Sequence, residues 1–229
     1  MNEVAAIVEG ETEQVFVRDL LAPHLLNRGI SIWATLPGKP GQRSGGARSW
    51  KLIRKEICRT LKGRPGLYCT TMFDFYALPN DWPGRDEASR LPVALRGQRV
   101  EDKLKEDMVQ HVGPDFHRDR FIPYVQVHEF EALVFSDIDT LAKTTTPLSR
   151  HPEARLQSHF SQVLKNAGTP ESIDDGYETC PSRRIMSMAP SYRKAAHGPI
   201  IAKRIGLDRL RQACPHFNQW VCKLESGWV

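Results

Sequence analysis

Along the first half of the chain, short unbroken apolar runs alternate with stretches that are apolar only every third or fourth position. Val4-Ala5-Ala6-Ile7-Val8 is the first run. With no polar position in it, it predicts a strand covered on both faces, as in a parallel sheet. Val15, Phe16, Leu20 and Leu21 follow at helical spacing, with Thr12 as the expected N-cap and Pro23 and Gly29 closing the segment. Ile30 to Thr35 predicts a second strand, Tyr68 to Phe73 a third that stops at Asp74, and Phe121 to Val127 a fourth. Between them, Trp50, Ile53, Ile57 and Leu61 mark one face of a helix whose other face carries Lys51, Arg54, Lys55, Arg59 and Lys62. Arg99 to His111 predicts a charged helix supported by i,i+4 pairs such as Glu101 and Lys105. Residues 37–46, rich in Gly and Pro, predict a mobile loop, and Pro79 to Pro92 a turn-rich connection. After Pro152 the pattern is helical, with Ala154 to Lys165, Ser191 to Ile205 and Pro215 to Leu224 as the strongest segments. The expectation is a doubly wound, Rossmann-like α/β core over residues 1–145, its mostly parallel sheet sandwiched by helices. A helical C-terminal extension, 146–229, packs on it as one compact unit.

At 229 residues the chain is long enough to bury a proper core, and no apolar run approaches the roughly 20 residues that span a bilayer. Five cysteines stand without a CxxC pair or zinc-finger spacing, and the start lacks a secretory pattern. The thiols are therefore expected to be reduced in a cytoplasm and to act as small hydrophobes. The net charge of +5 conceals a segregation: residues 1–35 carry −3, 36–71 carry +8, 72–181 carry −7 and 182–229 carry +7. Two basic blocks bracket an acidic middle. This is either uneven surface charge or a polyanion channel around a carboxylate site, and the channel requires both basic blocks to flank that site.

Three acidic motifs fall at predicted strand ends. In Val8-Glu9-Gly10-Glu11-Thr12-Glu13, Gly10 would permit a sharp turn, and Glu9 and Glu13 would lie close enough to share a cation. Alternatively, Glu13 simply favours a helix N-terminus. In Thr71-Met72-Phe73-Asp74-Phe75-Tyr76, Asp74 stands at the carboxyl edge of the sheet, where open α/β sheets bind ligands; it can equally cap a turn. In Val127-His128-Glu129-Phe130-Glu131-Ala132, the two glutamates share a side in extended chain but diverge by roughly 200° if a helix begins there. His128 can orient a carboxylate, ligate a metal or pack. Parallel strands share a carboxyl edge, so these acids would converge, and converging carboxylates require positive charge. Mg²⁺ or Mn²⁺ suits such oxygen donors and bridges to phosphate oxygens, which makes phosphodiester hydrolysis the expected chemistry. The basic residues of the last block, Arg183, Arg184, Arg193, Lys194, Lys203, Arg204, Arg209 and Arg211, either neutralise phosphates or form a solvated face. Trp220 and Trp228 pack or dock a partner, and His197-Gly198-Pro199 is expected to form a tight turn near the site.

The opening VEGETE, the strand end at Asp74 and the central HEFEALVFSD resemble the Toprim domains of topoisomerases, primases and overcoming-lysogenization-defect nucleases. The chain is most similar to an uncharacterised bacterial Toprim-related family. Its tail carries Glu178-Thr179-Cys180-Pro181-Ser182-Arg183-Arg184-Ile185, Tyr192, Lys194, His197-Gly198-Pro199, Ile205-Gly206-Leu207 and Cys214-Pro215-His216-Phe217. The resemblance implies a Toprim-like fold, with Glu9 at the Toprim glutamate position, Glu13 beside it and Asp74 as the first Asp of the DxD strand end. Tyr76 stands where the second Asp is expected, and Glu129 or Glu131 is the candidate replacement. Toprim nucleases also place a lysine near the scissile phosphate, for which Lys194 and Lys203 are candidates.

The resemblance thus implies catalytic Glu9, Glu13, Asp74, Glu129 and Glu131, with Glu9, Asp74 and Glu131 holding Mg²⁺ or Mn²⁺. Arg183, Arg184, Lys194, His197 and Lys203 would bind DNA or RNA. It further implies a cytoplasmic effector subunit, a possible homodimer, working beside an ABC-type or related ATPase in bacterial phage defence. Two other readings stand beside the nuclease. One is a non-catalytic regulator of such an ATPase, with Tyr76 marking a decayed site; the other is phosphoryl or nucleotidyl transfer to a small substrate. The GxxxxGK[ST] pattern of P-loop ATP hydrolysis is absent.

Overall fold

The computed structural model describes residues 1–38, 46, 48–112, 117–173, 176 and 178–226. Strand β1 (Asn2–Val8) leads through α1 (Glu11–Phe16), a π-helical turn (Val17–Leu21) and α2 (Ala22–Leu26) to β2 (Ile30–Thr35). Next come α3 (Trp50–Gly63), β3 (Leu67–Asp74), α4 (Arg85–Ser89) and α5 (Val93–Val112). Two short strands, β4 (Phe121–Ile122) and β5 (Val125–Gln126), finish the sheet. Helices follow: α6 (Glu131–Val134), α7 (Ile138–Thr145), α8 (Glu153–Ala167), α9 (Pro181–Met188), α10 (Lys194–Ile205), α11 (Leu207–Ala213) and α12 (Pro215–Ser226).

The sheet order is β2-β1-β3-β4, with β5 also on β3, and every pairing is parallel. The unbroken apolar runs are explained by cover on both faces. Ile7, Cys69, Phe73 and Val125 point to the side packed by Trp50, Ile53, Ile57 and Leu61 of α3 and by Val100, Leu104 and Met108 of α5. Val4, Ala6, Val8, Tyr68 and Met72 point to the other side, against Phe16, Phe130, Ile201, Phe217 and Trp220. The architecture is the expected one: a mostly parallel sheet between helices with a helical C-terminal part.

Several local expectations are corrected. Gly10, not Thr12, is the N-cap of α1; Thr12 sits in the first helical turn, buried. Pro23 does not close the segment. It lies in the first turn of α2, just after the π-helical turn has shifted the ladder in which its missing N–H would take part. The expected fourth strand is split, because Pro123 cannot donate to β3. Side chains bridge the gap: Thr71 Oγ1 accepts the Tyr124 N–H at 3.1 Å and donates to the Tyr124 carbonyl at 3.2 Å, while Thr70 donates to the Ile122 carbonyl.

His197-Gly198-Pro199 forms no turn but part of α10, where Gly198 lets the helix approach closely. A Cβ there would stand 3.2 Å from the Tyr192 hydroxyl and 3.3 Å from the Phe130 ring. Glu101 is no surface partner of Lys105, being only 3% exposed. Of the cysteines, Cys69 and Cys214 are buried, Cys58 and Cys180 half-buried and Cys222 exposed, so only the first two are core residues. Most of the 37–46 loop, and Trp228, lie outside the described residues.

Candidate carboxylate site

Because the strands are parallel, β1, β3 and β5 deliver their carboxyl ends to one edge. The Glu9 N–H continues the ladder to the Met72 carbonyl at 3.0 Å. Its carboxylate then crosses to β3 and accepts the Asp74 N–H at 2.9 Å. Glu13, in the first turn of α1, folds back to accept the Gly10 N–H at 2.9 Å, one half of a capping box. Gly10 itself has extended backbone (φ −149°), so its conformation needs no glycine. What it leaves is room, since a Cβ there would lie 3.2 Å from the Glu13 carboxylate.

The segment after β5 supplies the other two acids. Glu131 opens α6 and is 1% exposed; its carboxylate accepts the Tyr192 hydroxyl at 3.3 Å. Glu129 accepts the Ser182 N–H at 3.0 Å from the start of α9. Although a helix begins between them, both reach one cation: the Lys194 ammonium lies 2.5 Å from Glu129 and 3.5 Å from Glu131. Phe130, between the two, packs edge-on against Phe16 at 5.3 Å and against α10, which fixes where Lys194 enters.

The electrostatics divide the acids. Burial, then repulsion from Glu9 and Glu131, pushes the Glu13 carboxyl to about 7. Burial pushes Asp74 well above the ordinary carboxyl range, with repulsion from Glu9, Glu13 and Glu131 adding to it. Glu9 is also raised, mainly by burial, as is Glu131. Glu129 goes the other way: burial pulls its carboxyl up, but Lys194 and the Ser182 hydrogen bonds outweigh that and hold it low. Burial works against the Lys194 ammonium, yet Glu131 and Glu129 keep it firmly charged. The five acids are thus neighbours in charge. Among the described residues, however, no three His, Cys, Asp or Glu side chains are arranged to hold a metal ion. Lys194 is the cation that Glu129 and Glu131 share, and its charge also reaches Glu9 and Asp74.

Of the other anticipated residues, Arg183 lines a cavity beside Glu129 and Lys194. Arg184 turns away, donating to the Thr179 carbonyl and facing a separate cavity with His159 and Gln162. His197 closes the start of α10 by accepting the Arg193 N–H at 2.7 Å. Lys203 stands nine residues along α10 from Lys194, a rise of about 14 Å, close to Asp19. His128 is buried with its ring stacked on Tyr76 at 5.5 Å. Trp220 packs, donating to Thr70 Oγ1 and stacking on Tyr124 at 4.4 Å.

The charge blocks are likewise unequal. The C-terminal block reaches the site through Lys194, whereas Arg54 and Arg59 of α3 pair with Asp107 and Glu56. The described part of the 36–71 block touches the site edge through Gly46, whose N–H donates to the Glu9 carbonyl at 2.9 Å. Ser182 and Tyr192 were noted only as motif residues; a hydroxyl two positions before Lys194 and a backbone N–H at a helix start carry no compositional signal of their role. Gln126 gave none either: it sits across from Asp74 on β5, fully buried, its carbonyl oxygen bonded by the Tyr124 hydroxyl.

No curated protein matches the chain. Among solved structures it is similar to the C-terminal region of the Burkholderia pseudomallei OLD protein, at 13% identity and a TM-score of 0.47, covering 98% of each chain. It is also similar to the C-terminal region of the Xanthomonas campestris pv. campestris OLD protein, at 16% identity and a TM-score of 0.37, covering 96% of each. By sequence, residues 8–225 match the family described as a domain of unknown function, DUF4276, and the chain belongs to that family.

Proposed function

We propose that this protein is a Toprim-type phosphodiester hydrolase that works on DNA or RNA with Mg²⁺ or Mn²⁺. The observation that carries the reading is the gathering of Glu9, Glu13, Asp74 and Glu131, four acids with raised carboxyl pKa values, against a single lysine at a parallel-sheet edge. Glu9, Glu13 and Glu131 each accept one hydrogen bond, yet burial keeps their carboxyls raised all the same, and ionisable groups perturbed in this way cluster at functional sites. Their oxygens are the hard donors that Mg²⁺ and Mn²⁺ take, and Glu9, Asp74 and Glu131 would hold the ion once Lys194 yields part of its share. Such an ion would polarise the phosphate and acidify a bound water. Glu13, with its carboxyl at about 7, is poised to accept a proton near neutrality. Lys194, exposed on one side, would face the phosphate oxygens, and Glu129 would orient it.

The test is cleavage of plasmid DNA and transfer RNA with Mg²⁺ or Mn²⁺. Glu9→Ala and Asp74→Ala should each lose at least about 10²-fold in rate, the scale of removing one electrostatic stabiliser, whereas Lys203→Ala should lose little. Activity untouched by both acidic changes would overturn the assignment. In the same reading the chain is the cutting subunit beside an ABC-type ATPase of a bacterial phage-defence system, for which co-purification with that ATPase is the measurement. The Lys194 contacts favour one second reading, a non-catalytic regulator of the same ATPase. Co-purification that survives Glu9→Ala, with no divalent-metal binding, would select it.

A further inference from the structure

Beside the carboxylates opens a cavity of about 520 Å³. One wall is Tyr76, with Pro181 and Met186 adding apolar surface; Arg183, Glu129 and Lys194 supply charge. The Tyr76 ring is held from several sides before any ligand arrives. It stacks on His128 at 5.5 Å and 19°, meets Phe75 edge-on at 5.2 Å, and its hydroxyl takes a hydrogen bond from Arg96. An immobilised aromatic plane loses little freedom when a second plane stacks on it.

The volume falls within the range of small-molecule sites, and the mixture of aromatic, apolar and cationic groups is that of a nucleotide subsite. Lys194 belongs both to this cavity and to the carboxylate cluster. A phosphate drawn to its ammonium would therefore place the attached base in the cavity, since the sugar joins the two. Bases inside a duplex are stacked and out of reach of such a wall unless they are flipped out.

Resting on the hydrolase reading for its position, we infer that the cavity takes one unstacked nucleobase next to the phosphate at Lys194, with Tyr76 as its stacking platform. The favoured ligand is then single-stranded nucleic acid. Tyr76, standing where an acid was expected, serves in substrate selection.

The experiment uses the full chain, in EDTA and low salt, with a fluorescein-labelled oligothymidylate and a strand of equal length built from abasic units. Wild type should bind the oligothymidylate at least fivefold more tightly than the abasic strand. Tyr76→Phe should keep that ratio, and Tyr76→Leu should bring it to one. Because Tyr76→Leu could disturb the fold, a second measurement uses wild type alone: a strand carrying 5-iodouracil is photocrosslinked and the adduct mapped by peptide mass spectrometry, which should find Tyr76. Equal binding of the two strands by wild type, or crosslinks only elsewhere, would overturn the inference. Cleavage with Mn²⁺ separates the two claims. Cutting without base preference leaves the hydrolase and removes the subsite; base preference through Tyr76 without cutting leaves the subsite and removes the hydrolase.

Discussion

The molecule buries acidic side chains in two places and treats them differently. Between α5, α12 and β5, Glu101 accepts the Val125 N–H at 3.0 Å and pairs with His216 at 2.9 Å, with Lys223 farther out at 3.8 Å. Glu171 accepts the N–H groups of both His216 and Phe217 at the start of α12. Each of these acids has its own donors, and the set clamps the C-terminal helix to the sheet. At the strand ends, Glu9, Glu13 and Glu131 accept one hydrogen bond each but repel Asp74, whose carboxylate accepts none among the described residues. Burial is common to both regions and raises the Glu171 carboxyl as well; what separates them is that Glu101 and Glu171 face His216, while the strand-end acids face one another. An acid that faces a cation is matched, while acids that face one another stay costly until something positive arrives.

The clamp should therefore be the more fragile of the two. Removing Glu101 leaves the Val125 N–H buried without its acceptor and takes the carboxylate from the His216 ring, which keeps only the Val125 carbonyl at 3.2 Å. Breaking a buried pair from one side costs about 3–5 kcal/mol, and Glu101→Ala should lose that much in a urea titration. Gly97→Ala tests the same clamp by shape. A Cβ there would fall 2.6 Å from the His216 ring nitrogen and 2.7 Å from the Val125 carbonyl oxygen. Neither the backbone nor a clamped ring can easily retreat, so about 1–3 kcal/mol should be lost. A midpoint unchanged in Gly97→Ala would mean that α5 and β5 can separate without cost.

How much of this could be read in the sequence follows the same division. The strands were legible because apolar runs such as Val4 to Val8 have a physical period, and the strand-end acids because a charge directly after such a run has few places to go. The break at Pro123 was visible as a residue that cannot donate, but its repair by Thr70 and Thr71 depends on register, which a single strand's pattern does not contain. The clamp was misread for a related reason. Glu101 lies on a charged helix at ordinary i,i+4 spacing from Lys105, and only the arrival of α12, more than a hundred residues later, buries it. The carboxylates could be grouped from topology alone. Lys194 as the cation between Glu129 and Glu131 could not, because its place is set by how closely α10 lies on Phe130.

At the strand ends the sign of a substitution should reverse. Asp74 carries a raised carboxyl pKa in the fold, so the folded state binds more protons than the unfolded one above the ordinary Asp pKa of 3.8. Stability from that proton is present at low pH and is lost as pH rises through the folded-state value. Glu13 acts in the same direction, losing its share between 4.5 and about 7. Asp74→Asn is neutral at every pH and escapes this loss. It should match wild type near pH 4 and be the more stable of the two at pH 8, while abolishing cleavage. Thermal melts across that range provide the comparison. A variant less stable than wild type at pH 8 would mean that Asp74 is matched after all and belongs with Glu101.

The smallest effect on stability should come from the shortest ion pair at the site. Lys194 and Glu129 meet at 2.5 Å, closer than His216 and Glu101, yet their side chains are 43% and 22% exposed against 9% and 3%. Water competes for the first pair and not for the second, and partly exposed pairs contribute at most about 1 kcal/mol. Lys194→Gln keeps a polar group that can still donate to Glu129, and the buried Glu131, its carboxyl already raised, can take up a proton once the neighbouring charge is gone. Its midpoint in urea should lie within about 0.5 kcal/mol of wild type, although cleavage should fall with the loss of the charge facing the phosphate. A loss of several kcal/mol would place Lys194 among the clamps that hold the fold, and the contrast between matched and unmatched acids would then have to be redrawn around Asp74 and Glu13 alone.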